Sequence, residues 1–217
     1  YRILDKPSVH YTFSKSPDGK YYDVTGNTVI TTGNELPSEN TPDYKSVSVD
    51  SGNSNKIVID NNNALNHKEF TVSTWVKSSN IGNIGEVIKK EGGYNISIDD
   101  QDLKFSDYSR NYTSEDVDLS EDEWNHIAIT IGDGINMYVN GDRVKNTVKP
   151  NTLSVDSSNN LVIGSKNNEL MNINEFRVYD DPLSSEELTS IYQNGADFEY
   201  NGPIDYTIYN KGSEYID

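Results

Sequence analysis

The sequence predicts an all-β fold, a two-sheet antiparallel jelly-roll sandwich with one short helix near the C-terminus. The stretch from Glu123 to Val144 predicts it most strongly. There Glu-Trp-Asn-His-Ile-Ala-Ile-Thr-Ile meets a turn at Asp133-Gly134, and Met-Tyr-Val leads to a second turn at Asn140-Gly141. Ile127, Ile129 and Ile131 fall on one face, and His126, Ala128 and Thr130 on the other. Period-two alternation closed by Asp-Gly or Asn-Gly is the strongest short-range hairpin signal. Short apolar runs also recur along the chain, separated by turn residues at roughly 8–12-residue spacing, as in a sandwich. Asn, Asp and Ser fill the gaps between the runs, as many polar turns require.

The elements follow in order. Val9 to Phe13 alternates and predicts a first strand, and Val29 to Thr32 a short second one. Gly33 to Tyr44 carries two prolines and several polar residues, which predicts a surface loop. Ser46–Val49 and Lys56–Ile59 read as strands, and Asp60 to Asn66 as a polar corner plugged by Leu65. Phe70 to Lys77 puts Phe70, Val72, Thr74 and Val76 on one face and Thr71, Ser73, Trp75 and Lys77 on the other. Asn80 to Gly85 is a loop, Glu86 to Lys89 a strand, and Gly92-Gly93 a turn. Tyr94–Ile98 and Leu103–Phe105 make a hairpin around Asp99 to Asp102, and Asn111 to Asp122 is acidic and weakly patterned. After the Trp124 hairpin come strands at Leu161–Gly164 and Ile173–Tyr179. Ser184 with Glu187 three residues on is a capping box, with Leu183 and Leu188 at the staple positions around it. Ile191 adds an apolar contact, and Gly195 is placed to end the helix. So short a helix must lie on a sheet to be stable.

Residues 1–195 therefore read as one domain, and 196–217 as a Tyr-rich C-terminal extension, an added strand at Ile204–Tyr209 or a linker. The 217 residues include no cysteine, which excludes disulfide stapling and Cys-based metal or redox chemistry. A chain of this length closes a core without them. No apolar run is long enough to span a membrane as a helix, so no membrane insertion is expected. A formal net charge of −17 disfavours nucleic acid and anionic membrane surfaces and suits divalent cations or basic partners. Tyr outnumbers Phe by 15 to 5, which suits exposed strands, interfaces and sugar-stacking platforms. The first residue is Tyr1 rather than Met, so a leader or upstream region is expected to have been removed.

An ordered set of motifs makes the pattern specific. It runs Val9-His-Tyr-Thr-Phe13, Asp23-Val-Thr-Gly-Asn27, Lys56-Ile-Val-Ile59, Phe70-Thr-Val-Ser-Thr-Trp-Val-Lys77 and Val87-Ile-Lys-Lys90. Trp124-Asn-His-Ile-Ala128, Met137-Tyr-Val-Asn-Gly141, Leu161-Val-Ile-Gly164, Ile173-Asn-Glu-Phe-Arg-Val-Tyr179 and Leu183-Ser-Ser-Glu-Glu-Leu188 complete it. In this order the chain resembles the LamG-like jelly-roll domains of the concanavalin A-like lectin/glucanase superfamily, over roughly Ser8 to Gly195. The resemblance implies a two-sheet jelly roll that is extracellular and binds glycans or proteins. It also implies one structural Ca2+ at the rim. Asp23 matches the Asp of the early motif, and Asn174 stands where relatives carry Asp. Ser14 likewise replaces an Asp, so both departures remove charge from the expected calcium site. An Asx turn at Gly26 is the plainer role for Asp23.

Catalysis is not expected. Glycoside hydrolysis needs two carboxylates about 5–10 Å apart. No predicted central strand carries acidic residues at alternating positions; Glu175 is a lone strand carboxylate. Glu115 to Glu123 reads as solvated loop charge, and Asp116-x-Asp118-x-Ser120 lacks the glycine of an EF-hand. His10, His67 and His126 show no triad pattern. Trp75 and Trp124 belong to the framework, so a ligand rim is sought among loop residues, at Tyr108, Tyr112, Asn80 and Asn83. Asn95-Ile-Ser97 and Asn111-Tyr-Thr113 are glycosylation sequons, in keeping with export. The chain is accordingly expected to be a non-catalytic extracellular, cell-surface or virion-surface module that binds a glycan or a surface protein. The alternative is a structural subunit of a filament, sheath or virion that self-assembles through its terminal segments. A glycoside hydrolase ranks last.

Overall fold

The computed structural model describes residues 6–13, 20–32, 38–41, 44–49, 55–107, 109–114, 117–150, 153, 155–164 and 169–194. In chain order the strands are β1 (Val9–Tyr11), β2 (Ile30–Thr32), β3 (Ser38–Thr41), β4 (Tyr44–Val49), β5 (Ile57–Ile59), β6 (Phe70–Lys77), β7 (Gly85–Lys90) and β8 (Tyr94–Asp99). They continue with β9 (Asp102–Asp107), β10 (Asn111–Thr113), β11 (Asn125–Ile131), β12 (Gly134–Val139), β13 (Asp142–Val148), β14 (Leu161–Ile163) and β15 (Met171–Tyr179). The helix α1 spans Ser185–Gln193. Two antiparallel sheets form. The first has the order β13-β12-β11-β6-β15-β4-β3, with β1 also paired to β15; the second is β10-β9-β8-β7-β14-β5-β2.

The inner faces pack as the alternation requires. Ile127, Ile129 and Ile131 lie opposite Thr74, Val72 and Phe70 across β11 and β6. All three isoleucines are buried in the core shared by the two sheets. Tyr94, Ile96 and Ile98 on β8 meet Leu103 and Phe105 on β9 from the other side. Each such side chain contributes roughly 1.5–3 kcal/mol on burial.

The outer face of the first sheet is covered as well. His126, Ala128 and Thr130 are buried, and a second apolar cluster joins Ala128, Tyr138 and Tyr179 to Leu183, Leu188 and Ile191 of the helix segment. The capping box forms in both halves: Ser184 Oγ accepts from the Glu187 N–H, and Glu187 Oε2 from the Ser184 N–H at 2.8 Å. Thr71 on β6 anchors the approach, because its Oγ accepts from the Leu183 N–H at 2.8 Å and donates to the Asp181 carbonyl. Asn194 is the C-cap; Gly195 and the Tyr-rich extension lie outside the described residues.

Turn chemistry follows sequence at two hairpins. Asn140 and Gly141 have φ of 51° and 83°, the left-handed pair of a type I′ turn. Asp100 and Gln101 adopt φ of 56° and 64° between β8 and β9. At the other end of β12 the turn sits one residue earlier than Asp133-Gly134, since Gly134 already belongs to the strand.

Two expectations are corrected. Gly33 to Tyr44 is not all loop: β3 pairs with β4 from Ser38↔Val47 to Thr41↔Tyr44. β3 lies at the edge of the first sheet. Within the weakly patterned stretch, Asn111–Thr113 forms the edge strand β10. Glu175 is the single carboxylate of β15, and it is engaged by two basic side chains. Its Oε2 lies 2.7 Å from His10 Nε2 and is also bound by the Arg177 guanidinium. Glu175 has φ of 52° at a register shift in the β15–β6 pairing. That bulge lets β15 pair with β4 at Met171–Ile173 and with β1 at Phe176–Val178.

Candidate functional site

The tip of the β7–β8 hairpin carries a cleft of about 250 Å3 lined by Glu86, Lys89–Asn95, Ser106 and Asp107. Its floor is fixed by glycine and by a buried lysine. Gly92 has φ of 76°, and a Cβ on Gly93 would stand 2.6 Å from the Val155 carbonyl oxygen. Lys90 is 1% exposed. Its Nζ donates to Asn61 Oδ1 at 2.7 Å and to the Asn159 carbonyl at 3.0 Å. Burial pulls this ammonium down to about 8. The hydroxyl of Ser157 and the amide of Asn159 both donate to the Glu91 carbonyl. One side chain thus ties the Asn61 corner, the loop before β14 and the end of β7 together.

The walls are polar. Lys89 lies 3.0 Å from Glu91 Oε2 and 3.5 Å from Glu86 Oε1. The Glu91 hydrogen bond chiefly holds its ammonium above the ordinary value. Asn95 lies opposite Ser106 and Tyr94 opposite Asp107 across β8 and β9. Asp107 is 9% exposed. Its Oδ1 accepts from the Ser109 and Arg110 N–H groups at 2.9 and 2.6 Å, which closes the turn after β9. Its Oδ2 is buried and accepts from no donor among the described residues; the same holds for Asn95 Oδ1, which strand alternation places on the other face of the sheet. Buried acceptors of this kind cost free energy unless a ligand or solvent donor meets them.

The residues singled out by sequence lie apart. Tyr108, one residue past Asp107, is outside the described residues. Tyr112 sits opposite Phe105 on β10, with ring centroids 6.0 Å apart and its hydroxyl buried. Asn80 and Asn83 stand at the opposite end of the sheet, in the β6–β7 connection. There Asn80 Nδ2 donates to Glu169 at 3.0 Å, and Asn83 Oδ1 accepts from the Asp100 N–H. Sequence reasoning missed Asn95, Lys90 and Asp107. The signals for them were the Gly92-Gly93 turn and the nearness of Asp107 to Tyr108.

Asp23 and Asn174, as they stand, do not fit a calcium ion. Asp23 Oδ1 accepts from the His10 N–H, the Thr25 N–H and the Thr25 hydroxyl at 2.7–2.9 Å. Its Oδ2 accepts from the Thr28 N–H and hydroxyl at 3.0 and 2.8 Å. Five donors occupy the carboxylate that the ion would need. Asn174 is 2% exposed within β15, opposite Trp75. Asp23 instead staples β1 to the loop before β2. The histidines are structural too. Burial, with Arg177 adding, lowers the His10 imidazole from its ordinary value, while its hydrogen bond to the Glu175 carboxylate works the other way. His126 bonds Ser73 Oγ at 2.8 Å and packs against both Trp75 and Tyr192. Trp75 is buried and stacked on Tyr192 of α1, a framework position.

Two antiparallel sheets with a capped helix on one outer face define a lectin-type β-sandwich. The chain belongs to the concanavalin A-like lectin/glucanases superfamily: the Laminin_G_3 family model matches residues 51–189. It is 28% identical over 142 residues to the non-toxic nonhemagglutinin type C of Clostridium botulinum C phage, a match covering 60% of this chain and 12% of that protein. The solved binding domain of Paraclostridial Mosquitocidal Protein 1 superposes with a TM-score of 0.69 at 17% identity, covering 84% of this chain and 52% of that one. The botulinum neurotoxin serotype D ligand binding domain in complex with N-acetylneuraminic acid superposes at 0.71 and 18% identity, over 89% and 52%. At those identities the likeness shows the fold. The chain spans about half the length of the solved domains and an eighth of the curated relative.

Proposed function

We infer that the chain is a non-catalytic recognition module, acting outside the cell, that binds a glycan or a glycosylated surface protein through the β7–β9 cleft. One observation carries this reading: Glu86, Lys89, Asn95 and Ser106 line one polar cleft on the β7–β9 strands. The hairpin beneath them is held rigid by Lys90 and Asn159. Preorganised polar groups on a fixed scaffold suit recognition, because little ordering is left for binding to oppose. Support also comes from solved neighbours described as binding domains, one of them in complex with a sugar acid. As the chain covers 52% of that sugar-bound domain, the complex supports the class of module rather than this cleft.

Labelled chain on a glycan array and on intact cells tests the reading. Retention is expected on a subset of glycans or on cells, and Asn95→Leu should weaken it by about tenfold, as loss of a buried ligand hydrogen bond does. No retention on any glycan or cell would overturn it.

A further inference from the structure

His126 is fully buried on the outer face of the first sheet, against the last turn of α1. Its ring centroid lies 5.2 Å from that of Trp75 and 6.5 Å from that of Tyr192, and Tyr192 stacks on Trp75 at 5.7 Å. Nε2 meets Ser73 Oγ at 2.8 Å, while His126 Nδ1 and Trp75 Nε1 are buried with no hydrogen-bond partner among the described residues. We propose that Tyr192 is an acid-released latch: as pH falls, the last turn of α1 lifts from the first sheet, His126 takes a proton and Trp75 is uncovered. The latch is lightly fastened. A helix of nine residues does not hold itself together in water. Leu183, Leu188, Ile191 and the capping box fix its start and middle. Beyond Ile191 the half-buried Tyr192 ring rests against Gly141, where a Cβ would stand 2.9 Å from Tyr192 Cδ1. The docked form offers the proton no counter-charge. Ser73 and Trp75 of β6, Asn140 after β12 and Tyr192 of α1 face His126 as neutral groups. β15 presents Arg177, a like charge. The Glu175 carboxylate is shared by Arg177 and His10 of β1, and Glu187 of α1 is held in the capping box. Burial and Arg177 therefore keep the docked imidazole neutral, whereas the solvated one titrates near 6.5. Above that pH neither form holds the proton and the latch stays shut. Below it the open form gains by up to about tenfold per pH unit.

Acrylamide quenching of Trp75 tests this, in a Trp124→Phe background that leaves one of the two tryptophans. It is followed from about pH 7.5 to about pH 4.5, with circular dichroism of the β-sheets recorded alongside. The quenching slope should rise by about threefold or more as the open form gains population, while the β signal holds. His126→Gln, which keeps a neutral partner for Ser73, should hold the slope flat over the same range. Tyr192→Ala should raise it already at neutral pH. A slope that ignores acid in the His126 chain, that rises equally in His126→Gln, or that rises only together with loss of the β signal would overturn the latch. So would a Tyr192→Ala chain whose Trp75 stays protected at neutral pH. The recognition reading fails on separate grounds, because its cleft lies on the second sheet.

Discussion

His126 shows how a single buried side chain sets a response to acid. Burial, with Arg177 adding, holds its imidazole down to about 3. In the unfolded chain it titrates near 6.5. Between those values the unfolded chain takes up a proton that the folded one does not, so stability must fall as pH drops from about 6.5 toward 3. His10 is lowered too and adds with the same sign. Melting temperatures across this window should decline, and His126→Gln should decline less steeply. Glu175→Ala removes the carboxylate shared by Arg177 and His10, and is expected to lower unfolding free energy by about 3–5 kcal/mol in denaturant titration. Millimolar Ca2+ should leave the melting temperature unchanged, because five protein donors already hold Asp23. The Asx turn of Asp23 was legible, because it is local: Oδ1 accepts from the Thr25 N–H, whereas the long-range contacts were not. His10 and Glu175 are separated by 165 residues, and only the β1–β15 pairing brings them together.

At the scale of elements, local rules carried most of the information. Helix α1 was readable because Ser184, Glu187, Leu183 and Leu188 form a self-contained signal, and the capping box forms as spaced. Ser184→Ala should cost about 1 kcal/mol in thermal unfolding. The Asn140-Gly141 turn was readable for the same reason. Gly141→Ala must cost more than an ordinary surface change, since φ is 83° and its Cβ would lie 2.9 Å from Tyr192 Cδ1. The edge strands β3 and β10 were not readable. Ser38–Thr41 is Ser-Glu-Asn-Thr, with no apolar alternation, and its backbone pairing with β4 alone makes it a strand. The cleft escaped for a related reason. Lys90 and Asp107 are polar residues at strand ends, and composition gives no sign that their surroundings bury them.

For the whole molecule, the period-two pattern was enough to assign the inner faces, because a one-residue slip would turn every core side chain outward. Ile129→Ala, at the centre of that face, should lower stability by about 2–5 kcal/mol. The second burial layer, under α1, makes the first sheet a poor place for an open binding face, and the proposed site accordingly lies at the polar tip of the second sheet. Calorimetric titration of the best array glycan into the native chain and into Asn95→Leu tests that claim most directly. The account predicts saturable binding to the native chain and at least tenfold weaker binding to the variant at equal thermal stability. Equal affinity for the two would contradict it.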